Sequence, residues 1–234
     1  MGESSRTGDK TGHEVELKLR VDDLAALLAV AMAAGGQPEP TAIQRNQYFD
    51  TPDRAWDKNK LVLRLREERG GDGTAFFLTA KGPANKAGDG ALTVVAEEET
   101  AVTADTAAQL RGGRDPLAFL DGGGDSRRQL VAALRTAAAH QSVAIVGEFI
   151  NERTRLPTTL QVGARRTPIV LELDRVVFPG NQIHHEIECE LAADVDPEQA
   201  TLAFFALFAQ AGVVGRRAPG KASRFFAALR GERL

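Results

Sequence analysis

Charged and apolar residues alternate in one segment near the N-terminus, His13-Glu14-Val15-Glu16-Leu17-Lys18-Leu19-Arg20. Successive side chains of a β-strand point to opposite faces, so the charged residues share one face and the apolar residues the other. One such strand is usually a solvated edge. Several of them predict a sheet with an apolar face for the core and a charge-lined face that can hold a ligand.

The same alternation recurs in six further apparent strands. Lys81 closes one of them just before Gly82-Pro83, which is a turn signal. The charges that share a face are Arg64 with Arg66, Glu97 with Glu99, Arg153 with Arg155, Glu172 with Asp174, and Glu186 with Glu188 and Glu190. The charged face therefore carries acids on the first and the later strands, and bases on the strands between them.

The composition limits the classes to which the chain can belong. Its 234 residues allow one large domain or two small ones, and 43% hydrophobic residues are enough for a core. The net charge of −3 gives no reason to expect a nucleic-acid partner. The lone Cys189 excludes an intramolecular disulfide and a cysteine-based zinc site. With no apolar run near the ~20 residues of a membrane span and no apolar signal region, we expect a cytoplasmic protein without membrane contact.

Periodicity and turn residues divide the chain into elements. Residues 1–12 are expected to be a flexible leader, and residues 13–234 a single domain. Helices are predicted at about 21–34, in a short segment after residue 104, and at about 126–140, 197–212 and 220–230. Strands are predicted at about 13–20, 42–50, 59–68, 74–81, 92–100, 144–156, 158–164, 168–178 and 183–192.

These elements predict an α+β fold, an eight-stranded antiparallel closed β-barrel with helices packed on the outside. The apolar side of the strands needs cover, which apolar or amphipathic helices supply. Closure removes exposed sheet edges and turns the charged face into a polar lumen. Such a lumen is costly unless its charges are paired, solvated or occupied by a ligand.

The residue types on the charged face suit a metal–polyphosphate site. Arginine forks bind phosphate oxygens in pairs, and lysine supplies a point charge. Carboxylates in the same cavity suit hard divalent cations such as Mg²⁺ or Mn²⁺. Each charged stripe alone has a structural interpretation, as a solvated strand face or as cross-strand ion pairs. The coincidence of all the stripes favours the ligand site.

The ordered set of motifs resembles the CYTH superfamily, the triphosphate tunnel metalloenzymes, over roughly residues 13 to 230. The E-x-E-x-K signature is similar to Glu14-Val15-Glu16-Leu17-Lys18, and the YFDTP turn to Tyr48-Phe49-Asp50-Thr51-Pro52. The remaining matches are Leu63-Arg64-Leu65-Arg66, Leu78-Thr79-Ala80-Lys81-Gly82-Pro83, the acidic segments 171–174 and 186–188, and Lys221-Ala222-Ser223-Arg224.

The resemblance implies an eight-stranded tunnel that binds a triphosphate with two divalent metal ions, Mg²⁺ or Mn²⁺. The predicted substrate-binding residues are Lys18, Arg64, Arg66, Lys81, Arg153, Arg155, Lys221 and Arg224. The predicted metal ligands are Glu14, Glu16, Glu97, Glu99, Glu172, Asp174, Glu186 and Glu188. The predicted catalytic residues are Glu186, Glu188 and Lys81. Glutamine in place of Glu188 is expected to leave the fold intact, because a charge that faces a wet lumen contributes little to stability.

The chain departs from the resemblance at two places. Val94-Val95 stands where a basic residue is common, which leaves phosphate contact there open. Asn151 stands where a lysine is common, two residues before Arg153.

The tunnel motifs do not separate the reactions of the superfamily. Thiamine triphosphatases of the vertebrate type carry a Trp beside the paired arginines, where this chain has Val62, and one Trp and one Tyr form no aromatic cluster for a base. The 78–83 segment resembles the class IV adenylyl cyclases, whereas the first and last acidic strands most resemble plant-type inorganic tripolyphosphatases.

The sequence therefore favours a phosphoanhydride hydrolase that converts inorganic tripolyphosphate to pyrophosphate and phosphate with a divalent metal. The open alternatives are class IV adenylyl cyclase-like or thiamine triphosphatase activity, and a non-catalytic polyphosphate-binding module. The expected partner is tripolyphosphate, or a nucleoside or thiamine triphosphate.

Overall fold

The computed structural model describes the backbone of residues 10–87 and 91–234, and the side chains of residues 15–84 and 91–234. The strands are β1 (Lys10–Val21), β2 (Ala42–Asp50), β3 (Val62–Gly70), β4 (Gly73–Lys81), β5 (Asn85–Ala87), β6 (Leu92–Val102), β7 (Ala144–Val162), β8 (Arg165–Phe178) and β9 (Gln182–Glu190). The helices are α1 (Leu24–Ala34), α2 (Ala55–Lys58), α3 (Ala104–Arg111), α4 (Asp125–Ala138), α5 (Pro197–Gln210) and α6 (Lys221–Leu229). Of the predicted leader, residues 1–9 lie outside the described residues, and residues 10–12 belong to β1.

The strands form one sheet in the order β1-β9-β8-β7-β2-β3-β4-β6-β5, and β1 pairs in addition with β6. Eight long strands therefore follow one another in a ring, and the three-residue β5 is added at β6. Pairing on both sides satisfies the backbone N–H and C=O groups that a sheet edge would leave exposed. The predicted closed antiparallel sheet with helices outside is confirmed, with β5 as an additional short strand.

The chain divides into two compact units, and each unit has its own apolar core. In the first unit, which includes residues 45–84 and 95–148, α3 and α4 cover the apolar faces of β3 and β4. In the second unit, residues 14–44, 85–94 and 149–234, α1 and α5 cover those of β1, β8 and β9. A fully buried Leu or Phe side chain contributes about 1.5–3 kcal/mol. The apolar face that the alternation predicts is therefore the face against which these helices pack.

The ends of α1 follow from its flanking residues. The Asp23 carboxylate accepts a hydrogen bond from the Ala26 N–H at 2.8 Å, so the helix begins after the acid pair predicted to start it. Gly35 and Gly36 then adopt φ of 68° and 90°, and a Cβ at Gly36 would collide with the carbonyl oxygen of Pro157. Within the residues that the structure describes, neither this helix nor any other is long and apolar enough to cross a membrane.

Two segments differ from the sequence prediction. Residues 144–162 form one strand where two were predicted, because the register with β8 continues on both sides of Pro157. A proline removes one ladder hydrogen bond without requiring a chain reversal. Residues 55–58 form the short helix α2 where a turn was predicted, and the Trp56 indole N–H donates to the Leu134 carbonyl at 2.8 Å inside the core.

Asp50 holds the turn that leads into α2, and its loss is expected to destabilise the protein. Its buried carboxylate accepts from the backbone N–H groups of Thr51, Trp56 and Asp57 at 2.8, 2.9 and 3.2 Å. Asp50→Ala would leave these donors without an acceptor, at a cost of about 1–3 kcal/mol for a buried polar group. Urea denaturation should give this decrease in the free energy of unfolding. Asp50→Asn is the matched control, because its amide oxygen still accepts, and equal stability of all three proteins would contradict the role.

Candidate active site

In the second unit, the register of four neighbouring strands assembles two rows of charged residues. One row runs across β1, β9, β8 and β7 as Lys18, Glu188, Glu172 and Arg155. The other runs across the same strands as Arg20, Glu186, Asp174 and Arg153. Directly opposed residues share a face and lie close enough for their side chains to interact. The sheet thus brings together acids and bases that are up to about 170 positions apart in the sequence.

Arg153 is the base that contacts most of these acids. Its guanidinium donates twice to Asp174, at 2.8 and 2.6 Å, and once to Glu188 at 2.8 Å. It also forms an ion pair with Glu172. Two hydrogen bonds from one guanidinium to one carboxylate form a bidentate ion pair, which is stronger than a hydrogen bond between neutral groups. Arg155 is more loosely engaged, 3.9 Å from Glu39 and 4.0 Å from Glu172.

Helix α6 adds two further bases to the same face. Its first residue, Lys221, places Nζ 2.8 Å from Asp174 and 2.7 Å from Glu188, and it also pairs with Glu186. Arg224, one turn on, pairs with Glu186 and is almost fully buried. The resemblance implied that Lys221 and Arg224 bind substrate. The structure brings both bases into contact with the buried carboxylates of this face.

An aromatic cluster holds α6 in this position. The ring of Phe225 lies 6.0 Å from that of Phe149, which lies 5.1 Å from that of Phe178. The Arg224 guanidinium lies over the Phe178 ring at 5.0 Å and next to His184 Nδ1 at 2.9 Å. Burial, followed by the positive charges of Arg20 and Arg224, lowers the pKa of His184 to about 4. The imidazole is therefore neutral at pH 7, and its Nδ1 accepts the hydrogen bond from Arg224, since arginine has only donors.

The pKa values of the central groups are set by burial and by their partners. Burial opposes ionisation of Glu188, but Lys221, Lys18 and Arg153 outweigh it and hold the pKa of this carboxyl well below its ordinary value. Burial opposes the charged form of Lys221 as well, but the carboxylates of Asp174, Glu186 and Glu188 raise its pKa. Glu172 differs, because burial raises its pKa more than Arg153 lowers it. Burial and ion pairing thus act in opposite directions on the pKa of each of these three groups.

Three of the predicted metal ligands form a group that could hold a cation. Asp174, Glu186 and Glu188 are buried, and each offers a carboxylate oxygen within 4.8 Å of the others. Oxygen donors of this kind fit Mg²⁺ or Mn²⁺. Glu16 lies on the neighbouring strand, with its carboxylate 2.5 Å from Lys18 Nζ. The side chain of Glu14 lies outside the described residues.

The first unit contains a second cluster, on the charged faces of β3, β4 and β6. Arg66 lies 2.9 Å and Arg64 3.5 Å from Glu99, which also accepts a hydrogen bond from Thr79 at 2.7 Å. Lys81 pairs with Glu97 at 2.8 Å. Burial opposes ionisation of Glu99, but Arg66 and Arg64 outweigh it and lower its pKa. The predicted ligands Glu97 and Glu99 are therefore each the partner of a predicted phosphate-binding base.

Sequence reasoning did not include four residues of these faces among the site residues. Arg20 and His184 lie beside Glu186 on the charged face, and Thr79 and Phe77 lie beside the paired arginines. The Phe77 ring lies 4.7 Å from the Arg66 guanidinium. All four share strand parity with a predicted site residue, which is the signal that could have identified them.

At Asn151, where a lysine was noted as common, the structure has a buried amide that donates to Gln44 at 2.9 Å. This polar pair replaces a charge on the face that carries Arg153. Cys189 lies on the opposite face of β9 within the core, and burial raises the pKa of its thiol to about 12. The thiol is therefore not a reactive group of the site.

The chain thus forms a closed antiparallel sheet whose charged face groups buried carboxylates with arginines and lysines. A sequence profile of the CYTH domain matches residues 12–226. The chain therefore belongs to the CYTH domain family. A comparison with curated proteins finds no match.

Solved structures with the same fold come from a plant, a bacterium and an archaeon. HpAC1 from Hippeastrum, described as an adenylyl cyclase candidate with a dominant triphosphatase activity, has a TM-score of 0.72 at 21% identity, over 94% of this chain and 97% of that chain. An adenylate cyclase candidate from Bacillus halodurans has a TM-score of 0.60 at 20% identity, over 94% and 100%. A protein from Pyrococcus horikoshii has a TM-score of 0.55 at 18% identity, over 93% and 99%. The TM-scores establish a shared fold, and at identities below 25% these likenesses establish the fold alone.

Proposed function

We propose that this protein is an inorganic triphosphatase that hydrolyses tripolyphosphate to pyrophosphate and phosphate with divalent metal ions, Mg²⁺ or Mn²⁺. The observation that carries the proposal is the buried group Asp174, Glu186 and Glu188 in direct contact with Lys221 and Arg153. It combines donors for a hard cation with donors for phosphate oxygens in one cluster. Membership of the CYTH family and the triphosphatase activity of HpAC1 support the same reaction.

The residues of the chain divide into two roles in this proposal. The basic side chains bind and orient the phosphate oxygens. Each arginine can donate two parallel hydrogen bonds to a phosphate, and each lysine supplies a compact positive charge. The carboxylates hold the metal, which when bound neutralises phosphate charge and lowers the pKa of water. Glu186 and Glu188 are the proposed catalytic carboxylates of the late strands, and Lys81 is the proposed catalytic cation that contacts phosphate.

The overall change is a simple displacement at phosphorus. The oxygen of a water molecule forms a bond to the terminal phosphorus, and the bond from that phosphorus to the bridging oxygen breaks. Pyrophosphate leaves with the bonding electron pair, and the proton that the attacking water loses passes to solvent. Little covalent chemistry is required of the protein, so positioning and charge stabilisation are its main contributions.

One assay tests the proposal against its alternatives. Phosphate release is measured from tripolyphosphate, ATP and thiamine triphosphate with Mg²⁺ or Mn²⁺, together with cyclic AMP formation from ATP. We expect the fastest release from tripolyphosphate and none in excess EDTA. Cyclic AMP as the main product would identify an adenylyl cyclase. Faster phosphate release from thiamine triphosphate would identify a thiamine triphosphatase. Binding of tripolyphosphate without phosphate release would identify a polyphosphate-binding module. Full turnover in EDTA would exclude the metal role. The cytoplasmic location and the single domain over residues 13–234 stay predictions.

Arg66 and Lys81 are expected to contribute directly to substrate affinity. Each is partly exposed on the charged face of the first unit and pairs there with a carboxylate. Arg66→Ala and Lys81→Ala should each weaken tripolyphosphate binding by at least ~1.5–3 kcal/mol, the scale of hydrogen bonds to charged groups. Titration calorimetry measures the affinity. Arg69→Ala is the matched control, because Arg69 lies on the same strand but pairs with Glu67 at the opposite face. Unchanged affinity in both alanine variants would count against a phosphate role.

A further inference from the structure

Lys221 lies where the three buried carboxylates would hold a metal ion. Its Nζ is within 2.8 Å of an oxygen of Asp174 and of Glu188, and it also pairs with Glu186. These are the residues whose oxygens lie within 4.8 Å of one another. A small divalent cation needs its oxygens at about 2.0–2.1 Å. An ammonium group that touches all three carboxylates and a cation that they share would therefore occupy the same space.

Asp174, Glu186 and Glu188 form a carboxylate triad, and the charges around this triad are close to balance without any metal. The described ion pairs of this cluster contain five carboxylates, those of Glu16, Glu172, Asp174, Glu186 and Glu188. They contain five bases, namely Lys18, Arg153, Arg155, Lys221 and Arg224. A divalent cation added to this buried cluster would leave an excess of positive charge, which is unfavourable unless a base moves away or an anion arrives.

Among the bases that contact the three carboxylates, Lys221 is less constrained than the two arginines, Arg153 and Arg224. Arg153 is fixed by two hydrogen bonds to Asp174, and Arg224 is fixed by His184, the Pro219 carbonyl and the Phe178 ring. Lys221 stands at the first position of α6, and the preceding Gly220 supplies no capping side chain. A lysine ammonium on a four-carbon stem can change direction without moving its backbone.

We propose that Lys221 is a displaceable counter-ion, which neutralises the carboxylate triad when no metal is bound and turns to a phosphate oxygen when a divalent cation takes its place. The inference rests on the proposed function for the identity of the anion. Metal and triphosphate should then bind with positive coupling, since each favours the arrangement in which the ammonium has left the triad. Such coupling is reciprocal, so each ligand must raise the affinity of the other by the same factor.

The test measures Mn²⁺ affinity directly, from the electron spin resonance signal of free Mn²⁺. Lys221→Met removes the charge and keeps the length of the stem, and Lys221→Arg keeps the charge. Without phosphate, Lys221→Met should bind Mn²⁺ at least about tenfold more tightly than wild type, because a nearby competing charge has gone. A methylene-bridged triphosphate analogue should raise the Mn²⁺ affinity of wild type by a larger factor than that of Lys221→Met. Lys58→Met, at a mainly exposed lysine of α2, is the matched control and should match wild type.

Equal or weaker Mn²⁺ binding by Lys221→Met would overturn the inference. If wild type hydrolyses tripolyphosphate with Mn²⁺ but Lys221→Met shows no gain in Mn²⁺ affinity, the counter-ion inference fails and the proposed function stands. If Lys221→Met gains affinity but wild type releases no phosphate, the proposed function fails and the counter-ion role stands. Should Lys221→Met not fold, Lys221→Arg decides, because the charge that it keeps should hold its Mn²⁺ affinity without phosphate at or below the wild-type value, and a tenfold gain in affinity would overturn the inference.

Discussion

Glu188→Gln is expected to lower the turnover of tripolyphosphate by at least about 100-fold, beyond the roughly 10–100-fold typical of replacing a partner of a metal ligand. Glu188 offers one of the three buried carboxylates that could hold a cation, and it also contacts Lys221, Arg153 and Lys18 at 2.7, 2.8 and 3.3 Å. Glutamine keeps the size but loses the charge that binds the metal. Steady-state phosphate release gives kcat, and calorimetry gives substrate affinity, which should change much less.

Glu190→Gln is the matched control for this variant. Glu190 lies two residues further along β9, on the same face, but it is exposed. It should hydrolyse tripolyphosphate at the wild-type rate. Wild-type turnover in a folded Glu188→Gln protein would remove the late-strand metal site from the proposal.

The structure corrects one expectation for Glu188. Its position on a wet strand face predicted little contribution to stability, but the residue is 5% exposed and has three basic partners. Loss of its charge weakens hydrogen bonds that are worth about 1.5–3 kcal/mol each when a charged group is involved, so a loss of stability is expected as well. Thermal unfolding must therefore accompany the kinetic measurement, so that turnover is compared among folded proteins.

The strand faces were predictable because the alternation of side chains is a local property. Parity alone places Glu16, Lys18, Arg153, Glu172 and Glu188 on the charged face, and the structure agrees for each. The closed sheet follows from the number of strands and from the helices that cover their apolar side. The same logic fails at Pro157 and at residues 55–58, where neighbouring contacts outweigh the local turn signals.

The pairing of charges was not predictable, because it depends on strand register and on a distant helix. Glu172 and Asp174 have the same parity and similar chemistry, yet the pKa of the first is raised and that of the second is lowered. Burial raises the pKa of both carboxyl groups. Glu172 has direct contact with Arg153, whereas Asp174 contacts both Arg153 and Lys221, and these two bases together outweigh the effect of burial. The resemblance implied a phosphate-binding role for Lys221, but the sequence around it does not indicate that α6 brings this base to three strand carboxylates.

Arg153→Met is expected to lower the free energy of unfolding by about 3–5 kcal/mol, the cost of removing one partner from a buried ion pair. Asp174 is fully buried and would lose both guanidinium hydrogen bonds, and Glu172 and Glu188 would lose a partner as well. Lys221 would compensate part of this loss, because its ammonium already touches two of the three acids. Urea denaturation at neutral pH, without added metal, measures the effect.

Two variants separate a buried charge network from general packing. Arg155→Met removes the next arginine on the same strand face, whose ion pairs are longer, and should cost less than ~1 kcal/mol, as for exposed pairs. Arg153→Lys keeps the charge without the fork and should fall between wild type and Arg153→Met.

Added Mn²⁺ extends this test to the candidate metal site. A cation bound by the uncompensated acids should restore about 2.7 kcal/mol to Arg153→Met at a concentration 100 times its Kd. If Arg153→Met instead loses no more stability than Arg155→Met, and Mn²⁺ restores nothing, the cluster is a set of solvated charges. The carboxylates of Asp174 and Glu188 would then neither stabilise the fold as a charge network nor bind a cation, because both roles require carboxylates that are buried away from water.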